Sequence, residues 1–235
     1  MRLDFNNDLQ VIAGISEKPD GSMVWWNKLP VGDSVRKNRD QYFEKIGIDP
    51  KRVIAGGIEH GVKVGVVGEA EAGQYLLNTD ALITNVPNLF LTITAADCLP
   101  VFFYDMISKS IGIAHAGWRG LIGGILENVV KELNHSYGTT AENLAVIIGP
   151  HIKSCCYEIG EEVANKFIPE NIEQRAGKFF ANLGLEAKMR LNKVGVNNVS
   201  VSDICTFDDP RFYSARRDKD EPIQGVVGYI GINNN

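Results

Sequence analysis

The clearest alternation of apolar and polar positions lies between Thr94 and Gly120. Two runs rich in β-branched and aromatic residues, Val101-Phe102-Phe103-Tyr104 and Ile111-Gly112-Ile113-Ala114, flank a polar break over 105–110, and this predicts a β-hairpin. Beyond it the period changes. Leu121, Ile122, Ile125, Leu126, Val129, Val130 and Leu133 recur at three- and four-residue intervals, which predicts one amphipathic helix of about five turns packed on a sheet. Strand character also marks 9–15, a pair of runs within 52–67, and 80–84, 144–150, 199–203 and 224–232. Helices are predicted from Asp33 or Ser34 as N-cap to Ile46, over 161–167, and over 179–194. With no internal repeat, low-complexity tract or linker, the pattern predicts one α+β domain over residues 1–235.

Composition narrows the function. The chain has 235 residues, 44% hydrophobic and 23% charged, which is enough for a sizeable core. A formal net charge of -5 and a pI near 5.4 argue against a nucleic-acid partner, which usually demands a basic surplus or stripe. No apolar run is long enough for a membrane span, and the first residues lack the apolar region of a signal peptide, so a cytoplasmic protein without membrane partner is expected. Four cysteines are present. Reduced thiols are expected, since the adjacent Cys155-Cys156 pair suits an ordinary bridge poorly.

The hairpin sets Cys98 at the head of one strand and His115 at the end of its partner. A thiolate beside an imidazole is either half of a metal site or a nucleophile with its base. His60 stands at a junction with Gly56-Gly57 before it and Gly61 after it, where the backbone can come close to a ligand. His60, Cys98 and His115 together would be three metal ligands with a fourth position open, as in catalytic zinc sites. The competing reading makes Cys98 the nucleophile and His115 its base, oriented by Asp97 or Asp203, and leaves His60 unused. Taken singly, each of these residues reads first as structural, a buried cysteine near an incidental histidine. Arg119 follows His115 at a predicted helix N-terminus, an arrangement that suits an anion; the bland alternative is an exposed Arg119 beside glycines that permit close packing. Arg39, taken alone, is a solvated helix residue.

The segments Thr94-Ala95-Ala96-Asp97-Cys98-Leu99-Pro100-Val101 and His115-Ala116-Gly117-Trp118-Arg119-Gly120 resemble the signature of the multicopper polyphenol oxidase (laccase-like) family, also described as purine nucleoside phosphorylases of the YlmD/YfiH type. Further matches run in order through Gly32-Asp33, Asn38-Arg39, His60, Asp80 to Thr84, Ile148-Gly149-Pro150, Cys156 to Gly160, Cys205-Thr206, Phe212-Tyr213-Ser214 and Arg216-Arg217. The resemblance implies an α-β-β-α layered sandwich, similar to the catalytic domain of cytotoxic necrotizing factors, in a monomer. It implies zinc on His60, Cys98 and His115. Beside that metal, the residues themselves suggest Arg119 with the helix N-terminus after His115, and Arg39, as holders of phosphate, and Asp97 as support for a ligand. The implied reaction is phosphorolysis of adenosine, inosine, guanosine or methylthioadenosine, with adenosine deamination as a second activity. The laccase label implies copper and phenol oxidation instead, and the toxin likeness a metal-independent cysteine deamidase using Cys98 and His115. A multicopper cluster needs far more histidines than the four present. The chain departs from the family where Ile58 replaces a glutamine, at Asp20-Gly21-Ser22-Met23, and at 220–225, where a Gly-Arg is missing. These departures bear on substrate choice.

Overall fold

The computed structural model describes residues 1–5, 8, 10–25, 32–219 and 223–233. The predicted positions Leu9, Val31, Asp220 to Pro222 and the last two asparagines lie outside them. Strands β1 to β5 are Arg2–Leu3, Val11–Ile15, Val53–Gly56, Val64–Val66 and Tyr75–Leu76. Strands β6 to β10 are Ala81–Thr84, Phe90–Ala95, Leu99–Asp105, Ser110–Ala116 and Leu144–Ile148. Strands β11 to β15 are Glu158–Ile159, Ile172–Arg175, Lys178–Ala181, Asn198–Val201 and Val226–Ile232. Helices α1 to α6 are Asp33–Lys45, Trp118–Gly123, Ile125–Tyr137, Glu161–Ala164, Leu183–Lys193 and Ala215–Asp218.

Among the described residues two six-stranded sheets form, in the orders β1-β2-β15-β7-β3-β5 and β14-β10-β8-β9-β6-β4, with a three-stranded sheet β11-β13-β12 beside them. The predicted hairpin is β8 and β9, paired from Leu99↔Ala116 to Asp105↔Ser110. Because strand side chains alternate faces, Val101 and Phe103 join α3 and α5 in one core. Phe102 and Tyr104 face the other way and pack with Leu91, Ile93 and Ile230 of the first sheet. On the outer face of that first sheet, Tyr42 and Phe43 of α1 pack on Phe90 and Tyr229. The result is the α-β-β-α layering, an α+β fold.

Three sequence expectations are corrected. The five-turn helix is two helices, because Gly124 adopts φ 94° and caps α2 before α3 begins; glycine takes this left-handed conformation without the Cβ clash. The segment from Phe179 is strand β13 first and helix α5 only from Leu183, where the Asn182 side chain accepts from the Leu185 N–H. The N-cap of α1 is Gly32, not Asp33 or Ser34.

One topological point positions the site. The two runs within 52–67 do not pair with each other. β3 belongs to the first sheet and β4 to the second, so residues 57–63 carry the chain between layers. Residues 96–98 do the same between β7 and β8. His60 and Cys98 therefore sit on sheet-crossing segments at one end of the sandwich, where His115 ends β9.

Candidate metal centre

A buried carboxylate organises this end. Asp80 precedes β6, whose antiparallel register on β9 sets Ala81 opposite Ala114 and brings Asp80 under His115. The Asp80 carbonyl accepts the His115 N–H at 2.8 Å. Its Oδ1 lies 3.2 Å from His115 Nδ1 and accepts the His60 N–H at 2.9 Å. Its Oδ2 accepts the N–H groups of Gly61 at 2.9 Å and Glu59 at 3.2 Å. Burial alone would raise this acid, but His115 and the backbone donors outweigh it and hold the carboxyl below its ordinary range. The same bonds pin His60 at φ 62°, a left-handed conformation rare for a residue with a Cβ.

The side chains of His60, Cys98 and His115 each offer a ligand atom, all within 4.8 Å of one another. The two imidazole rings stand 4.8 Å apart at 88°. Burial would raise the Cys98 thiol, yet His115 and His60 together bring it down to about 6. Burial would lower His115, yet the Cys98 sulfur and the Asp80 carboxylate lift it to about 9. Gly117 is part of the construction, since a Cβ there would stand 2.8 Å from His60 Cδ2 and 3.1 Å from Cys98 Sγ.

This donor set fits a zinc-type cation. With Nδ1 of His115 directed to Asp80, Nε2 is left for metal, the carboxylate–histidine–metal relay that fixes tautomer and ring orientation. Two nitrogens and one sulfur leave a corner for reactant. Without a cation the same atoms make a thiolate beside an imidazolium.

The cluster lies in the wall of a cavity of about 290 Å³, lined also by Val24, Trp25, Ile58, Tyr157, Arg216 and Ile223. Trp25 stacks on Tyr75 with centroids 5.1 Å apart. Opposite chemistry comes from Arg216, whose guanidinium donates to Glu158 O at 2.8 Å and lies 5.3 Å from the Tyr157 ring centroid.

The remaining sequence candidates take other roles. Asp97 also lines the cavity, but its carboxylate does not orient a histidine. It accepts from Thr206 Oγ1 at 2.7 Å, Ser214 Oγ at 3.0 Å and the Arg216 N–H at 2.8 Å. Asp97 thus fastens the 206–216 loop against the cluster, and Asp80 takes the role expected of Asp97 or Asp203. Asp203 is exposed, on the loop beside Lys153. Arg119 is exposed and stacks on Trp118, 4.4 Å from the ring centroid, close enough to act electrostatically on Tyr157. Arg39 is not brought to the cluster. It is buried at 4% exposure, donates to Met23 O and Thr92 Oγ1 at 3.0 Å each, and lies against Trp25. Burial lowers it to about 10, and these two bonds brace the wall behind Trp25.

Sequence reasoning missed Asp80, Trp25, Tyr157 and Arg216. Asp80 left a trace as the charged residue opening an otherwise apolar strand, and Tyr157 and Arg216 lie in segments that carry the family resemblance, but no sequence signal points to the roles of these residues, and Trp25 left no trace.

Two sheets between helix layers, with an imidazole–thiol–imidazole cluster where the chain crosses from one sheet to the other, define a class of laccase-like α+β proteins. The family model described as multi-copper polyphenol oxidoreductase laccase matches residues 14–232, and the chain belongs to that family. It is 31% identical to the Bacillus subtilis protein named purine nucleoside phosphorylase YlmD, over 96% of this chain and 90% of that one. It is 34% identical to a Haemophilus influenzae purine nucleoside phosphorylase, over 80% and 79% of the two chains. Among solved structures, YlmD from Geobacillus stearothermophilus superposes with a TM-score of 0.88 at 25% identity, covering 96% of this chain and 93% of the other. Among the described residues no helix is long and apolar enough to cross a membrane.

Proposed function

We propose that residues 1–235 act as one domain, a zinc-dependent purine nucleoside phosphorylase that converts a purine nucleoside and phosphate to free base and ribose 1-phosphate. The observation that carries the reading is the Asp80-braced cluster of His60, Cys98 and His115 set in a largely apolar, aromatic-walled cavity. The names of the relatives support the same reaction. His60, Cys98 and His115 would hold the metal, which when bound supplies Lewis-acid polarisation of an oxygen.

The protein's own groups do the rest. Trp25 and Tyr157 offer flat faces to a purine. Tyr157, pushed up to about 12 chiefly by burial, stays protonated and is a neutral hydrogen-bond donor on the wall. Arg216 at the cavity and Arg119 behind Tyr157 set a positive field for phosphate. Asp80 keeps His115 in the tautomer that presents Nε2. As a phosphate oxygen bonds to the ribosyl C1′ carbon, the C1′–N9 bond breaks and its electron pair leaves with the base. An apolar cavity that limits water favours phosphate as the acceptor.

The deciding assay incubates adenosine or inosine with and without phosphate. Free base appearing only with phosphate is the expected result; base released equally without it, or ammonia as the sole product, overturns phosphorolysis. Arg216→Ala should raise the phosphate KM about tenfold and Arg119→Ala less, since only Arg216 lines the cavity. A second reading, a metal-independent cysteine hydrolase, rests on the Asp80–His115–Cys98 relay with its lowered thiol. It predicts covalent labelling of Cys98 by a carbonyl electrophile in metal-stripped, active protein. His60 argues against it, since a nucleophile needs one imidazole and this sulfur faces two. Copper chemistry of the multicopper kind has little support, because His135 and His151 join neither cluster of ligand-type side chains among the described residues.

A further inference from the structure

A second group of ligand-type side chains stands apart from the first and has no part in the reaction above. Cys155, Cys156, Cys205 and Asp208 each offer an atom within 4.8 Å of the others. They come from two turns about fifty residues apart, one following β10 and the other between β14 and α6. We propose that these four residues form a closed, structural site for a thiophilic divalent cation of the zinc type, bound by three thiolates and one carboxylate.

The distances carry the argument. Metal–sulfur bonds of about 2.3 Å and metal–oxygen bonds of about 2.0 Å at tetrahedral angles set S···S edges near 3.8 Å and S···O edges near 3.5 Å. Cys155 Sγ lies 3.7 Å from Cys205 Sγ and 3.4 Å from Asp208 Oδ2. Cys156 Sγ lies 3.4 Å from that same oxygen and 3.5 Å from Asp208 Oδ1. One edge is short. The Cys155 and Cys156 sulfurs are 3.0 Å apart and must part by about 0.8 Å to reach the tetrahedral edge, which the exposed Cys155 side chain can supply by a small turn. The Lys153 N–H already points at Cys205 Sγ from 3.5 Å, the kind of backbone donor that stabilises a thiolate. Asp208 has no ion pair among the described residues, so a cation would be its counter-charge. Three soft sulfurs select a zinc-like ion over magnesium or calcium.

The site would act as a pin. Its first turn runs into Tyr157 of the cavity wall. Its second continues into Thr206, whose hydroxyl holds Asp97, and Arg217 then clamps the carbonyls of Thr206 and Phe207 at 2.9 Å each. Joining the turns would fix the spacing between Tyr157 and the loop that carries Arg216.

The test uses the full chain, purified without a histidine tag, kept reduced, equilibrated with zinc and desalted. Metal per chain is then measured for the protein as it stands, for the Cys155→Ser/Cys156→Ser double variant and for Cys98→Ser. The double variant should hold one zinc fewer than the unaltered protein, and Cys98→Ser should keep that zinc. Loaded with cobalt, Cys98→Ser should retain a strong sulfur-to-cobalt charge-transfer band that the double variant largely loses. Equal zinc in the unaltered and double-variant proteins overturns the proposal. So does a disulfide between two of these three cysteines in the isolated protein, if the reduced form takes up no additional zinc. Either result leaves the phosphorolysis assay untouched, because the two sites share no residue.

Discussion

His60, Cys98 and His115 hang from two sheet crossings and a strand end, braced by a carboxylate 1% exposed that takes four hydrogen bonds. Cys155, Cys156, Cys205 and Asp208 hang from two surface turns, with only Cys205 buried and one backbone N–H for support. Both groups bring their ligand atoms within 4.8 Å of one another, yet they differ in what holds those atoms when no cation is present. The first is organised by the fold, and as a three-ligand metal site it would leave a corner for reactant. The second is organised by its own side chains, and four donors leave no corner open. Rigid placement with a vacancy suits chemistry, whereas closure across a loop pair suits structure.

The largest expected effect breaks the first group. Cys98→Ala removes the only sulfur there, and kcat/KM for nucleoside phosphorolysis should fall at least about a thousandfold, roughly 4 kcal/mol of transition-state stabilisation. Far-ultraviolet circular dichroism should stay unchanged, since β8 and β9 pair along their whole length without it. Retention of a tenth of the activity would remove the cluster from the mechanism.

Next in size is the brace. Asp80→Asn exchanges one carboxylate oxygen for an amide that faces N–H groups of Glu59, His60 or Gly61 or the ring of His115. Loss of such a carboxylate behind a metal-binding histidine typically costs 10–100-fold in metal affinity or activity. Titration with a chelator should show the weakened hold directly, and a chelator midpoint equal to that of the unaltered protein would refute the brace.

Smaller again is the effect on turnover of opening the second group. Cys155→Ser/Cys156→Ser should leave kcat/KM within about fivefold, or ~1 kcal/mol, while lowering the thermal midpoint measured in zinc. An ion present at a hundred times its Kd stabilises by about 2.7 kcal/mol, and at this chain length each kcal/mol is worth about 2–4 °C. The expected drop is then roughly 5–11 °C, abolished when both proteins are stripped of zinc. A thousandfold activity loss here would mean that the two groups do not divide the labour in this way.

How much of this was legible in the chain follows from the range of each interaction. The Cys98–His115 pairing could be read because a hairpin is local and its period of two is visible. Residues 125–133 of α3 were legible for the same reason, but the break at Gly124 was not, because a helical apolar stripe continues across it. His60 had only its glycine neighbours as a signal. Asp80 was read as the edge of a strand because its role appears only when β6 pairs with β9. Arg39 looked exposed because nothing local reveals Trp25 and Thr92 around it. Cys155, Cys156 and Cys205 read as reduced thiols, but their meeting with Asp208 is not legible, because turns far apart in the chain join them.

Each region also buries one histidine, and the difference between the two shows only in acid. His115 is lowered by burial but lifted to about 9 by the Cys98 sulfur and by the Asp80 carboxylate at its back. His151 is fully buried, with Nδ1 2.8 Å from Gly149 O and Nε2 without a partner. Burial first, and then the charge of Lys153, push it down to about 3. Its neutral form is therefore the folded form. Between an unfolded value near 6.5 and that folded value, the unfolded chain binds a proton that the folded chain refuses, so stability is full above pH 6.5 and is lost as the pH falls. At pH 5 the loss amounts to about 1–2 kcal/mol, or some 2–8 °C in thermal midpoint. His151→Asn keeps a donor for Gly149 O but cannot be charged, and it should leave turnover at neutral pH unchanged. The difference in midpoint between the two proteins should shift in favour of the variant as the pH falls from 7 to 5. A constant difference across that range would mean that His151 accepts its proton within the fold.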